Sequence, residues 1–330
     1  MLGELTPETT PAVLTDQLGS LTRRFSHTDE ADTVLAAEQA GPLGIITGFG
    51  PTNAPTAGTL TVMLGIVELQ RRFDVPTTVV ISELGAWNSR NVPWDLLCSV
   101  RDQMMDFLQA IGFDADRGIL RSHLDLGNLT RAGMLARFLS RQDFLDHRED
   151  LLELYDDHGL LGSEVGLTVD GLYTVADILG PVEQGAKRVL MVSGQEEAYF
   201  TQLARIALDR QAAAGDLSLG WQADIGALYF RVLEGLNGYP KMSKSIPASS
   251  IHLGMPDDEL AERILSDAET SQPALLSAIE LSSGWDDERL DQVRTAYEQR
   301  DTDPGDWKAV RLSYLDTFRE FSALWKSCAR

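Results

Sequence analysis

LGIITGFGPTNAPTAGTLTVMLGIVELQRRF, residues 43 to 73, decides how the chain is read. Residues 43–50 are an apolar run ending in glycines, the pattern of a short buried strand. A loop of Gly, Pro and Thr follows, and from Gly58 apolar residues recur at helical spacing as far as Phe73. Strand, turn, helix is the unit of a parallel sheet, and the unit repeats. TTVVISELGAW (77–87), GILRSH (118–123) and KRVLMVSG (187–194) read as strands, and LYFRVLEGLNG (228–238) leads on into a polar loop. Residues 94–113, the charged stretch 129–160 and ARIALDRQAAA (204–214) read as helices. The expected class is α/β, a Rossmann-like nucleotide-binding parallel sheet with helices on both faces. Residues 1–40 are expected as an N-terminal helical extension, 41–252 as the sheet domain and 253–330 as a small all-helical unit, because four helical patterns follow Pro256.

Composition narrows the class. The 330 residues are 43% apolar, enough for a substantial core and one or two domains. No apolar run reaches the roughly 18 to 20 residues of a membrane span. MLGELTPETTPAVL has neither the basic nor the apolar region of a secretory signal, so a cytoplasmic chain without a membrane partner is expected. Cys98 and Cys328 are isolated and the five histidines do not cluster, which points away from disulfides and from a protein-held metal. The formal charge of −22 favours solubility and repels polyanions at long range.

Two loops are suited to a nucleotide. In an open parallel sheet, ligands collect at the carboxyl ends of strands, and a helix N-terminus offers free N–H groups to phosphate. GFGPTNAPTAGTL (48–60) supplies both, with Thr56 and Thr59 as hydroxyl donors and Gly58 permitting close approach. An ordinary strand–helix connector carries the same letters. LNGYPKMSKSIPASSIHLG (236–254) places Lys241 and Lys244 three apart on a polar loop, where two cations can neutralise charge gathering on a departing polyphosphate. A solvated surface loop is the ordinary fate of lysine.

Lys241-Met242-Ser243-Lys244-Ser245 reads letter for letter as the KMSKS motif of the class I aminoacyl-tRNA synthetases. Residues 51–60, PTNAPTAGTL, resemble that class's HIGH motif at its expected place, after the first strand and at a helix start. VVISELGAW (79–87), TVADIL (174–179) and GQEE (194–197), followed by Leu203 and Arg205, resemble segments of the tryptophanyl/tyrosyl subgroup. The likeness runs over roughly residues 40 to 325.

The resemblance implies activation of an amino acid by ATP and Mg²⁺, giving an aminoacyl-adenylate and pyrophosphate, then transfer to tRNA by a homodimer. It implies that Lys241, Lys244, Thr56 and Thr59 serve catalysis. Gly48, Phe49, Gly50, Pro51, Thr52, Gly58, Gly194, Glu196, Met242, Ser243 and Ser245 would hold ATP. Ile46, Glu83, Asp177 and Glu197 would line the amino-acid pocket. Thr56 and Thr59 replace the histidines of HIGH and cannot be cationic. Glu197 stands where the family has a glutamine, and an added carboxylate there suits an α-amino group. Ile46 takes the place of a tyrosine that reads the substrate phenol, which disfavours tyrosine and leaves tryptophan or a related amino acid. Asp177 is a candidate acceptor for an indole N–H, or simply a helix cap.

Three functions fit these residues: a tryptophanyl-type synthetase, a paralogue that delivers the acyl group to an amine, peptide or carrier, and a sensor without turnover. From residue 251 onward there are 17 acidic and 9 basic side chains, against the basic face expected of a tRNA-reading unit. Folding would have to gather Arg289, Arg294, Lys308 and Arg311 to make one; four ordinary solvated residues are the plainer reading. Met104, Met105 and Phe107 suit either a dimer surface or the core.

Overall fold

The computed structural model describes residues 2–36, 41–146, 156–244 and 246–329. Its seven strands are β1 (Gly3–Glu4), β2 (Phe25–Asp29), β3 (Leu43–Phe49), β4 (Thr77–Ile81), β5 (Gly118–Ser122), β6 (Arg188–Gly194) and β7 (Asp224–Phe230), in the spatial order β1-β2-β7-β6-β3-β4-β5. The run from β5 to β7 is parallel throughout, with β3 between β4 and β6. Strand order therefore reverses between β3 and β6, and their carboxyl ends, Phe49 and Gly194, flank the crevice where such a sheet binds ligands.

The helices are α1 (Ala12–Leu18), α2 (Ala31–Leu35), α3 (Ala57–Phe73), α4 (Glu83–Ser89), α5 (Trp94–Ala110), α6 (Leu126–Leu135), α7 (Arg141–Asp146), α8 (Glu164–Glu183), α9 (Ala198–Ala212), α10 (Asp257–Ile264), α11 (Gln272–Ser282), α12 (Asp287–Glu298) and α13 (Pro304–Ser327). Two apolar layers bury the two faces of the sheet. One centres on α3, α5 and the C-terminal helices, the other on α8 and α9. α8 is long and apolar enough to cross a membrane by length and composition, yet Val175 to Leu179 are buried in the second layer, as befits a core helix.

The opening stretch folds as its pattern dictates. β3 buries six of its seven residues. Thr56 then caps α3, its Oγ accepting the Thr59 N–H at 3.3 Å.

Two expectations are corrected and one open reading is resolved. Residues 1–40 are not purely helical: β2 pairs antiparallel with β7, Phe25 stacking on Phe230 at 4.6 Å, because FSHTD buries its two ends against the sheet. VVISELGAW is a strand only to Ile81; Ser82 turns the chain and ELGAWNS forms α4. Of the two readings open to them, Met104 and Phe107 take the core one, since Phe107 meets Trp325 of α13 edge-on at 5.6 Å.

The C-terminal helices lie against the first layer, and the segment before them is stitched to the start of α3. Ala57 N–H donates to the Ile251 carbonyl at 3.1 Å and Leu253 N–H to the Pro55 carbonyl at 2.9 Å. From α13, the Ser322 hydroxyl donates to the Leu253 carbonyl at 2.7 Å.

Candidate active site

At the carboxyl ends of β3 and β6 lies a cavity lined on one side by Gly48, Phe49, Gly50, Thr52, Thr56, Gly58 and Thr59. Gly194, Glu196 and Glu197 face it from the end of β6, and Lys241, Met242, Ser243 and Lys244 close it from the loop after β7. Two sequence stretches about 190 residues apart thus meet across one space. Pro51 does not line the cavity, and Ser245 lies outside the described residues.

The lysine loop is pinned down by its own backbone. Met242 N–H donates to the Leu233 carbonyl at 2.9 Å, and Ser243 N–H to the Ser249 hydroxyl at 3.0 Å. Lys244 Nζ donates to the Gly50 carbonyl at 2.6 Å, tying the loop to the end of β3. Burial pushes the Lys244 ammonium down to about 8; Lys241 and Arg90 add repulsion while Glu197 and Glu196 oppose the fall. Lys241 Nζ pairs with Glu196 Oε1 at 2.7 Å. Burial alone would raise the Glu196 carboxyl, but Lys241 outweighs it and holds the group below its ordinary value.

Glu196 Oε2 is buried without a hydrogen-bond partner, an acceptor shaped for a hydroxyl donor such as those of a ribose. Glycine at 194 makes this possible, since a Cβ there would sit 2.4 Å from that oxygen. No group of three metal-ligating side chains occurs among the described residues.

The deeper end belongs to α8 and α4. Asp170, Thr174 and Asp177 recur on one stripe of α8 and face the cavity, alongside Ile46, Ile178 and Met191. Asp177 is no helix cap: it lies within α8, its Oδ1 accepting from Arg121 at 2.6 Å and its Oδ2 paired with His123 Nε2 at 2.6 Å. Gly85 N–H donates to His123 Nδ1 at 3.2 Å, so the ring proton sits on Nε2 and is donated to Asp177. Burial works to raise Asp177, and His123 and Arg121 together hold it low. Both its oxygens are engaged by the protein before any substrate arrives. Glu83, expected in the amino-acid pocket, is not there: fully buried, it accepts from Ser122 Oγ at 2.6 Å and pairs with Arg101. The helix that begins at Glu83 turns this side chain toward β5, where a pure strand reading would have left it free.

Asp170, His123, Ser89 and Arg90 line the cavity without having been expected there. The i, i+4, i+7 stripe of Asp170, Thr174 and Asp177 was the available signal for the first; His123 joins the site only through tertiary packing. Burial raises the Asp170 carboxyl, against Ser89, His123 and Arg90, which favour its charge.

Comparisons place this geometry. No family model matches the chain. Over 289 residues it is 26% identical to the tryptophan–tRNA ligase of Methanopyrus kandleri, covering 86% of this chain and 72% of that protein. The tryptophanyl-tRNA synthetase of Aeropyrum pernix superposes with a TM-score of 0.70 at 16% identity, over 98% of this chain and 86% of that one. The tyrosyl-tRNA synthetase of the same organism gives 0.67 at 16% identity, over 96% and 95%. The Encephalitozoon cuniculi tryptophanyl-tRNA synthetase bound to tryptophan gives 0.70 at 16%, over 97% and 91%. Two motifs that meet in space, the strand order and a curated relative across most of the chain make this protein a homologue of the tryptophanyl/tyrosyl class I aminoacyl-tRNA synthetases, with their fold.

Proposed function

We propose that the chain activates an amino acid, tryptophan or a related one, with Mg·ATP. The substrate carboxylate oxygen bonds to the α-phosphorus while the bond from that phosphorus to the pyrophosphate oxygen breaks, giving an aminoacyl-adenylate and pyrophosphate. The N-terminus of α3, with Gly58 and Thr59, suits phosphate. Glu196 suits the ribose, and Lys241 and Lys244 the charge of the departing pyrophosphate. The observation that carries the proposal is the convergence of both lysines on the cavity at the β3/β6 switch point. In an amino-acid-dependent ATP–pyrophosphate exchange assay, Lys244→Ala is expected to slow exchange at least about tenfold with little change in the binding of either substrate. Equal losses in binding and rate would remove the transition-state role, and no exchange with any amino acid would remove activation itself.

The acceptor has two readings. The relatives' names support tRNA, with a homodimer as the working unit; exposed Trp87, Leu126 and Val165, on α4, α6 and α8, suit such an interface. A second reading, delivery to a small amine or other non-tRNA acceptor, is favoured by the C-terminal charges. Arg294 is paired with Glu280 and Asp291, Arg319 with Asp257, and Arg311 is buried against Asp267. Arg289 lies 3.7 Å over the Trp285 ring. Of the imagined basic face of Arg289, Arg294, Lys308 and Arg311, two members, Arg294 and Arg311, are thus paired with carboxylates. Charging of total tRNA, assayed beside exchange, separates the two readings.

A further inference from the structure

The apolar end of the cavity rests on a methionine that is not left to find its own shape. Met191 and Ile46 are register partners on β6 and β3, side by side at the switch point of the sheet, and Ile178 of α8 joins them on the cavity wall. Met191 is buried in the second apolar layer yet still lines the cavity. An unbranched side chain with a polarizable sulfur reshapes itself around whatever it touches. That adaptability suits promiscuous surfaces and works against a pocket that has to tell one side chain from another.

Two fully buried hydroxyls that do not reach the cavity hold the sulfur. Tyr229 follows Ala227, the β7 register partner of Met191, by two residues and so shares its face of the sheet. α9 brings Thr201 between them, its Oγ1 lying 3.0 Å from the Met191 Sδ and 3.1 Å from the Tyr229 Oη. Chemistry fixes the direction of both bonds. A thioether carries no proton and can only accept, so Thr201 donates to Met191, and the Tyr229 hydroxyl donates to Thr201. Sulfur is a weak acceptor, and apolar groups of the same shape in place of such a pair can be nearly neutral for stability. What the two hydroxyls add is orientation.

We infer that Thr201 is a specificity-determining positioning residue: backed by Tyr229, it fixes the Met191 thioether so that the apolar end of the cavity reads the substrate side chain by a set shape. The inference rests on the activation reading above and says what that site selects, an apolar side-chain end of one length in preference to a range of lengths. Neither Thr201 nor Tyr229 lines the cavity, so each acts only through Met191. Ile46 and Ile178 are branched and stiff, and Met191 is the one member of the trio that needs holding.

The lock and its use are tested separately on the full chain. With isotope-labelled methionine methyl groups read by NMR, the Met191 resonance is assigned by its loss in Met191→Leu. In the wild type its shift is expected at the limit set by a single rotamer. Thr201→Val is expected to move it toward the rotamer-averaged value, and Thr201→Ser, which keeps the hydroxyl, to hold it in place; Thr201→Ala serves if the valine variant does not fold. A resonance that stays put without the hydroxyl shows that packing alone holds Met191 and overturns the lock. A thermal-shift scan of the proteinogenic amino acids, with and without Mg·ATP, then names the amino acid bound. Calorimetric titration compares it with analogues whose side chains are a methylene shorter and a methylene longer. The wild type is expected to prefer the amino acid at least about tenfold, and Thr201→Val to cut that preference at least about threefold. Thr201→Ser is expected to keep the preference, and Tyr229→Phe to fall between. A preference intact in Thr201→Val, or an equal loss for all three ligands, overturns the specificity role while activation stands. Absence of binding by every amino acid overturns activation and the specificity role together, and the methyl resonance still decides the lock.

Discussion

Lys244 is where local chemistry carries the sharpest consequence. Its ammonium is useful only while charged, and burial has already brought it down to about 8. The charged fraction is complete well below that value and is lost as pH rises through it. In the free enzyme, kcat/KM for ATP is therefore expected to reach a plateau on the acid side and decline above about pH 8. Lys244→Arg, which cannot deprotonate in that range, is expected to move the decline upward in a pH–rate series, whatever its absolute rate. A decline that does not move with arginine would assign it to another group. Lys241 and Lys244 were legible as letters because three-residue spacing in a polar loop needs no tertiary knowledge. The Glu196 pairing and the Gly50 carbonyl were not, since each joins segments far apart in the chain. His123 was not legible either: 54 residues separate it from Asp177, and no local pattern marks it.

Between elements, the Arg121–Asp177–His123 group joins β5 and its exit to α8 and fixes the floor of the cavity. Truncating one partner of such a buried group strands the others. Asp177→Ala is expected to destabilise the fold by about 3 kcal/mol, read from the urea midpoint at unchanged slope. A loss near zero would mean that Arg121 and His123 find water or other acceptors. Among the elements, β3, β5 and β6 were readable because apolar runs bounded by turns have little else to be. α4 escaped because VVISELGAW continues a strand-like apolar pattern across a turn made only by Ser82. β2 escaped because five residues of which only Phe25 is apolar have no clear period until β7 lies beside them.

Across the whole molecule, a net charge of −22 and a C-terminal region whose arginines are mostly engaged leave little to attract a polyanion. Total tRNA is accordingly expected to bind no tighter than about 10 µM near physiological salt, within the range of non-specific contact. A filter-binding series over salt checks this; sub-micromolar affinity falling steeply with salt would favour the tRNA reading over the second one. The α/β class was visible from the alternation of strands and helices, but the dependence of one end of the chain on the other was not. That dependence runs through residues 251–255, stitched to Pro55 and Ala57 on one side and to Ser322 on the other. Descent can erase what a region recognises more easily than what it props up. Even a lineage with no further use for reading nucleic acid would have to keep these helices, because deleting them would take away the packing that holds the start of α3 in place.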